Sequence, residues 1–343
     1  MAKIDKLVLE IDMNNISDIH ITSGLPPMVR KDGKLIKIFE DPISMELVDE
    51  YLKDLIPKKY AIFLEKGEVD FKYNNLQIGN FRVNAYKCKD AIGIVMRVIK
   101  KSIPKIKEIS NLSALKSFTN LKDGLILVTG PTGSGKSTTL AAMINEINNT
   151  KEKHIITLED PIEYIFETHK CMINQREVGE DTLSYANGLR AALRQDPDII
   201  MLGEMRDPET IETALRAAQT GHLVFSTLHN MGAAASIYRI VNSFESYHQN
   251  EVKIQLSSLL RGVISQVLIP NASGHGRTAA MEIMVCTPSI KNLIREGNYE
   301  QIGSFIQMGG KFGMQTVEAD LRRLVNSNII TRSEYESYMT NNR

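Results

Sequence analysis

The octapeptide Gly130-Pro131-Thr132-Gly133-Ser134-Gly135-Lys136-Ser137 constrains the fold of this chain more than any other stretch. It fits the pattern G-x-x-x-x-G-K-[ST], a loop that cradles phosphates when a strand delivers it and a helix leaves it. Both flanks are in place. Leu125-Ile126-Leu127-Val128-Thr129 is an apolar, partly β-branched run that reads as a buried strand, and Thr138 to Ile144 reads as a helix. Glycines let the loop close around phosphate oxygens, while the helix N-terminus adds unpaired N–H groups and a favourable dipole. Gly130, Pro131, Thr132, Gly133, Ser134, Gly135, Lys136, Ser137 and Thr138 are therefore expected to hold a nucleoside triphosphate. Lys136 would reach the β- and γ-phosphates and the Ser137 hydroxyl would ligate Mg²⁺. Nothing in the loop reads the base.

The 343 residues allow two domains, and the chain divides near residue 103. Before that point strand signals dominate. Ile19-His20-Ile21 and Val69-Asp70-Phe71-Lys72-Tyr73 alternate, Asn74-Asn75 offers a turn, and Phe81 to Tyr86 and Ile92 to Met96 are extended. One helix, from Ser44 as cap to Leu64, interrupts them. The expectation for 1–102 is a small mixed α/β domain with an antiparallel sheet. Lys100-Lys101-Ser102-Ile103-Pro104-Lys105 opens a linker over 103–111. From 112 strands and helices alternate, the pattern of a parallel sheet with helical crossovers. A core over 112–270 and a mainly helical region over 271–343 follow.

Bulk properties narrow the class. Forty-one Lys and Arg balance 41 Asp and Glu, which argues against a strongly basic nucleic-acid binder. No run of 18 apolar residues and no signal-peptide pattern occurs, so no transmembrane segment is expected. Cys88, Cys171 and Cys286 are isolated and odd in number, which suits neither a disulfide framework nor a zinc site and points to a reducing cytoplasm.

Three further segments turn a nucleotide binder into a candidate hydrolase. Asp198-Ile199-Ile200-Met201-Leu202-Gly203-Glu204 is an apolar strand ending in a carboxylate. The generic pattern places an aspartate directly after the apolar run; here Gly203 stands there and the acid follows as Glu204. A carboxylate at that point suits a group that orients the attacking water, because phosphoryl transfer depends on positioning and charge stabilisation. The alternative is a cap for the helix seeded by Asp207-Pro208-Glu209. Ile155 to Leu158 leads to Glu159, Asp160 and Glu163. Ligands in open α/β sheets lie outside the carboxyl ends of strands, and clustered carboxylates there call for a cation. Glu159 and Asp160 are thus candidate Mg²⁺ ligands and Glu163 a candidate catalytic acid. Thr220-Gly221-His222-Leu223-Val224-Phe225-Ser226-Thr227-Leu228-His229 is a third buried strand with a histidine at each end. Both His222 and His229 are candidates for sensing phosphate, against the plainer reading of structural donors.

GPTGSGKSTT, ITLEDPIEY, RQDPDIIMLGEMRDPET and TGHLVFSTLH, in this order, resemble the Walker A, aspartate, Walker B and histidine boxes of the secretion ATPase superfamily of ring-forming motors. SDIHITSGLPPMVRKDGKL, GNFRVNAY, NLIREGNYEQI and GMQTVEADL extend the likeness, over about residues 4 to 335, to its type IV pilus retraction (twitching motility) branch. Assembly ATPases of the superfamily usually carry a longer N-terminal region and paired zinc-binding cysteines, and neither is read here. Ser289 to Glu296 resembles the retraction branch's AIRNLIRE, with Ser289 for Ala and Lys291 for Arg; Gln219 and Asn230-Met231 are further departures.

The resemblance implies a PAS-like N-terminal domain, a RecA-like P-loop ATPase domain, and ATP and Mg²⁺ held between them in a homo-hexamer. It implies an ATP-hydrolysing motor of pilus retraction, with a pilus-assembly or type II secretion ATPase as the alternative. A nucleic-acid translocase and a non-hydrolysing ATP-gated module are remoter readings. Arg82 and Arg97, on adjacent N-terminal strands, are candidates for the cation that reaches the γ-phosphate when the ring closes. Implied partners are an inner-membrane platform protein and the pilus machinery, with no direct nucleic acid. The implied location is cytoplasmic, peripheral at the inner membrane's cytoplasmic face.

Overall fold

The computed structural model describes residues 3–13, 16–31, 34–99 and 102–341. The chain forms two compact units, Met1–Lys101 and Ser102–Arg343, each with its own core. Lys100 and Lys101, the basic start of the expected linker, lie outside the described residues.

The first unit runs α1 (Lys3–Leu9), β1 (Ile16–Thr22), β2 (Met28–Lys31), β3 (Lys34–Lys37), α2 (Met45–Leu55), α3 (Tyr60–Lys66), β4 (Glu68–Asn75), β5 (Gly79–Cys88) and β6 (Ala91–Ile99). Its six strands form one antiparallel sheet in the order β3-β2-β1-β6-β5-β4. Along β5 the alternation is clear: Phe81, Val83 and Ala85 are buried while Arg82, Asn84 and Tyr86 are partly exposed. The buried face packs with Ile4, Val8, Val48, Leu52 and Phe63 from the three helices. Ser44 caps α2, its hydroxyl accepting from the Leu47 N–H at 3.2 Å. The single helix expected to Leu64 is in fact two. Pro57 disfavours helical backbone at Ile56, whose φ is −130°, and α3 restarts three residues past the proline. The turn read at Asn74-Asn75 sits slightly later, since β4 pairs through Asn75 to Gly79 and Asn75 Oδ1 accepts from the Gln77 N–H at 2.8 Å.

The second unit begins with α4 (Ile106–Ile109) and α5 (Ser113–Thr119). The segment read as a linker over 103–111 therefore carries a helical turn, because Ile106 inserts into this unit's core. There follow β7 (Gly124–Thr129), α6 (Lys136–Thr150), β8 (His154–Glu159), β9 (Met172–Glu177), α7 (Tyr185–Ala192), β10 (Ile199–Leu202), α8 (Pro208–Gln219) and β11 (Leu223–Leu228). The chain continues through α9 (Ala233–Asn242), α10 (Gln249–Leu259), β12 (Leu260–Pro270), β13 (Arg277–Val285), α11 (Pro288–Glu296), α12 (Ile302–Met308), α13 (Val317–Asn326) and α14 (Arg332–Asn341).

The sheet order is β13-β12-β7-β11-β10-β8-β9, with every neighbouring pair parallel save β12 and β13. All six residues of β7 are buried, with Leu125 and Leu127 in one core cluster and Ile126 and Val128 in the other. Helices cover both faces, as a parallel sheet requires. β13 departs from the mainly helical reading of 271–343. Both of its faces are buried over much of its length, so the polar alternation that marks a half-exposed strand is lost. Because β7, β8, β10 and β11 are parallel, their carboxyl ends meet along one edge.

Candidate functional site

That edge opens into a cavity of about 400 Å³, lined by residues of the second unit. The loop after β7 holds its shape through glycine. Gly130 has φ 146°, and a Cβ there would lie 2.3 Å from the Gln266 carbonyl oxygen, so neither backbone nor space admits a side chain. Lys136 opens α6 and is buried, its ammonium donating to the carbonyls of Gly130 at 2.8 Å and Pro131 at 3.0 Å. Burial pushes its pKa down. Gln266 of β12 fastens the loop to the sheet: its amide donates to the Ser134 carbonyl at 2.6 Å, and its Oε1 accepts from the Thr139 hydroxyl at 2.6 Å. Ser137 and Thr138 line the cavity, with the Thr138 and Tyr164 hydroxyls 2.8 Å apart.

β8 delivers the acids. Glu159 is buried; its Oε1 accepts from the Thr157 hydroxyl at 2.6 Å and the Gln175 amide at 3.1 Å. Burial outweighs those bonds and pushes its pKa up to about 7. Asp160 and Glu163 are exposed and line the same cavity. Ser137 and these three carboxylates offer hard oxygen donors, the set that Mg²⁺ takes. Among the described residues no group of three or more His, Cys, Asp or Glu is placed to hold a metal ion. The arrangement fits a cation that arrives with phosphates and keeps part of its water shell.

β10 delivers Glu204, with only 8 % of its side chain exposed. Its Oε1 accepts from Arg206 Nη2 at 2.6 Å, and its Oε2 lies 2.9 Å from His229 Nε2. The capping alternative falls to Asp207, whose carboxylate accepts from the Thr210 N–H at 2.8 Å at the start of α8. Gly203, standing where the generic pattern has an aspartate, is explained by Tyr185. A Cβ at 203 would lie 2.6 Å from the Tyr185 hydroxyl oxygen. Burial also raises the pKa of that phenol, so it stays protonated.

β11 delivers His229, whose Nδ1 lies 3.4 Å from the Thr132 hydroxyl of the phosphate loop. His229 thus links that loop to Glu204. His222 is not brought here. It precedes β11 at the strand's other end, roughly 20 Å away for six residues at about 3.3 Å each. Its Nδ1 lies 2.9 Å from the Ala217 carbonyl oxygen and 3.0 Å from the Thr220 hydroxyl, the partners of a structural histidine. Arg82 and Arg97 belong to the first unit, opposite one another on β5 and β6, with Arg97 Nε donating to Asp18 at 2.8 Å.

The cavity also has walls that the sequence reading missed: Arg206, Tyr185, Tyr164, Phe166, Leu268 and Arg277. Arg206 lay in plain view two residues past Glu204. Tyr185 and Leu268 come from distant segments and carry no local signal. Among the described residues no helix is long and apolar enough to cross a membrane.

A family model described as "Type II/IV secretion system protein" matches residues 2–335. Pseudomonas aeruginosa PAO1 has a relative named type IV pilus retraction ATPase PilT, 48% identical over 317 residues and covering 92% of each chain. The twitching motility protein of Neisseria gonorrhoeae is 44% identical over 321 residues, or 92% of this chain and 86% of that one. A crystal structure of the pilus retraction motor PilT with bound ADP superposes with a TM-score of 0.89 at 44% identity, over 98% of this chain and 95% of that one.

Proposed function

The chain belongs to the type II/IV secretion system protein family, and on that footing we propose that it is an ATP-hydrolysing motor that retracts type IV pili. One observation carries the hydrolytic part: Glu204, His229 and Thr132 form a continuous line from a carboxylate to the phosphate loop inside one cavity. The pilus part draws on the relatives named for retraction and twitching.

In this reading residues 130–138 wrap the phosphates, and Lys136 exchanges its two loop carbonyls for phosphate oxygens. Ser137, Glu159 and Asp160 would hold Mg²⁺ directly or through water, and the ion would supply positive charge beside the transferring phosphate. Glu204 orients the attacking water, with Glu163 a second acid in the same cavity. His229 reports the state of the loop to Glu204. Arg82 and Arg97 are assigned to the γ-phosphate within a hexameric ring. No catalytic role is kept for His222.

We place the motor in the cytoplasm, at the inner face of the membrane, where it engages a platform protein of the pilus machine. Glu204→Gln should preserve ATP binding and remove turnover. In the native strain, a surplus of surface pili with lost twitching is the expected result. Bald cells would make the protein an assembly motor, and an unchanged pilus count would point to secretion.

A further inference from the structure

β10 ends at Leu202, and residues 203–206 carry the chain to the α8 cap at Asp207. In an extended segment residues two apart share a face and the one between points away. Met205 turns inward, 2 % exposed in the core. Glu204 and Arg206 therefore share the other face, and both line the cavity. Two bonds to β11 fasten the segment: the Met205 N–H donates to the Thr227 carbonyl at 3.2 Å, and the Thr227 hydroxyl donates to the Gly203 carbonyl.

On this fixed base each carboxylate oxygen of Glu204 has its own partner, Arg206 on Oε1 and His229 on Oε2. The two sides of the ion pair differ sharply in exposure, 8% for Glu204 and 67% for Arg206. Solvent around the exposed arginine screens much of the pair's attraction, and a glutamine at 206 still carries an amide donor for the buried oxygen. What the pair supplies is direction, since the last torsion of a glutamate is otherwise broad.

We propose that Arg206 is a positioning residue for ATP hydrolysis, fixing the plane in which the Glu204 carboxylate meets the attacking water. The inference rests on the reading of Glu204 given above. Orientation matters here because phosphoryl transfer asks little covalent chemistry of the protein, and a displacement of about 1 Å can cost roughly a hundredfold in rate. A lysine restores the charge without the planar fork, so it should restore only part of the effect.

The test measures ATP turnover, fluorescent-ADP binding and thermal unfolding for the full chain carrying Arg206→Gln or Arg206→Lys. Arg206→Gln should lose about tenfold or more in kcat, with KM and ADP affinity within about twofold of wild type and the unfolding midpoint unmoved. Arg206→Lys should fall between the two. An unchanged kcat in Arg206→Gln overturns the proposal. So does a loss of kcat matched by an equal loss of ADP affinity or a lowered midpoint, because that is a structural effect. A wild-type protein that turns over no ATP removes the hydrolytic reading and this role with it. An active wild type with an equally active Arg206→Gln removes the Arg206 role alone.

Discussion

Gly203 shows how a single atom can decide a residue. Its would-be Cβ meets the Tyr185 hydroxyl oxygen at 2.6 Å, whereas the next neighbours, the Leu158 carbonyl oxygen at 3.4 Å and the Glu159 Cα at 3.5 Å, are at ordinary contact. The hydroxyl alone is in the way. Gly203→Ala should therefore lose about 1–3 kcal/mol to overpacking, and adding Tyr185→Phe should recover most of it. Denaturant midpoints of the two single variants and the double variant measure the coupling; additive losses would disprove the steric account. Glu159 makes a second prediction at this scale. Its carboxyl has an ordinary value of 4.5 and a folded value of about 7. Between those pH values the folded chain keeps a proton that the unfolded chain has released, so stability falls as pH rises through the window and levels off above it. Glu159→Gln still offers an Oε1 to Thr157 and Gln175 and does not titrate. Without nucleotide and in a chelator, it should match wild type near pH 4.5 and exceed it by about 3 kcal/mol at pH 8. Parallel stability curves for the two proteins would contradict this.

Among the elements, β12 couples the sheet to the phosphate loop through one side chain. Gln266 is 2% exposed and satisfies both the Ser134 carbonyl and the Thr139 hydroxyl. Gln266→Leu leaves two buried polar groups short of a partner, at about 1–3 kcal/mol each. A lowered unfolding midpoint together with weaker ADP binding is expected, and ADP affinity at the wild-type level would show that the loop holds its shape without β12. This clamp was not legible in the sequence, because one glutamine in an apolar strand gives no sign of what it meets. The loop itself, and the strand ends that deliver Glu159, Glu204 and His229, were legible, since each signal lies within about ten contiguous residues. His222 lies apart from them, because two ends of one strand are near in sequence and far apart in space. The sequence reading missed β13, whose two buried faces erase the alternation that reveals a strand, and it read a helix through Pro57 that the proline divides.

At the scale of the molecule, the chain has two units with separate hydrophobic cores, and the phosphate loop and the residues lining its cavity belong to the second. A ligand stabilises only what it binds in the folded form, by about 2.7 kcal/mol at a hundred times its Kd. Calorimetry of the full chain should therefore show two transitions. Saturating Mg²⁺ and ADP should raise the one that belongs to residues 102–343 and leave the other in place. Lys136→Ala should abolish the shift, since the ammonium that the loop carbonyls now hold is the loop's own cation for phosphate. If both transitions rise together, nucleotide binding energy is shared with the first unit. The motor reading places that sharing with ATP, whose γ-phosphate is assigned to Arg82 and Arg97 and is missing from ADP, because a nucleotide moves a domain only by the difference in its affinity for that domain's two positions.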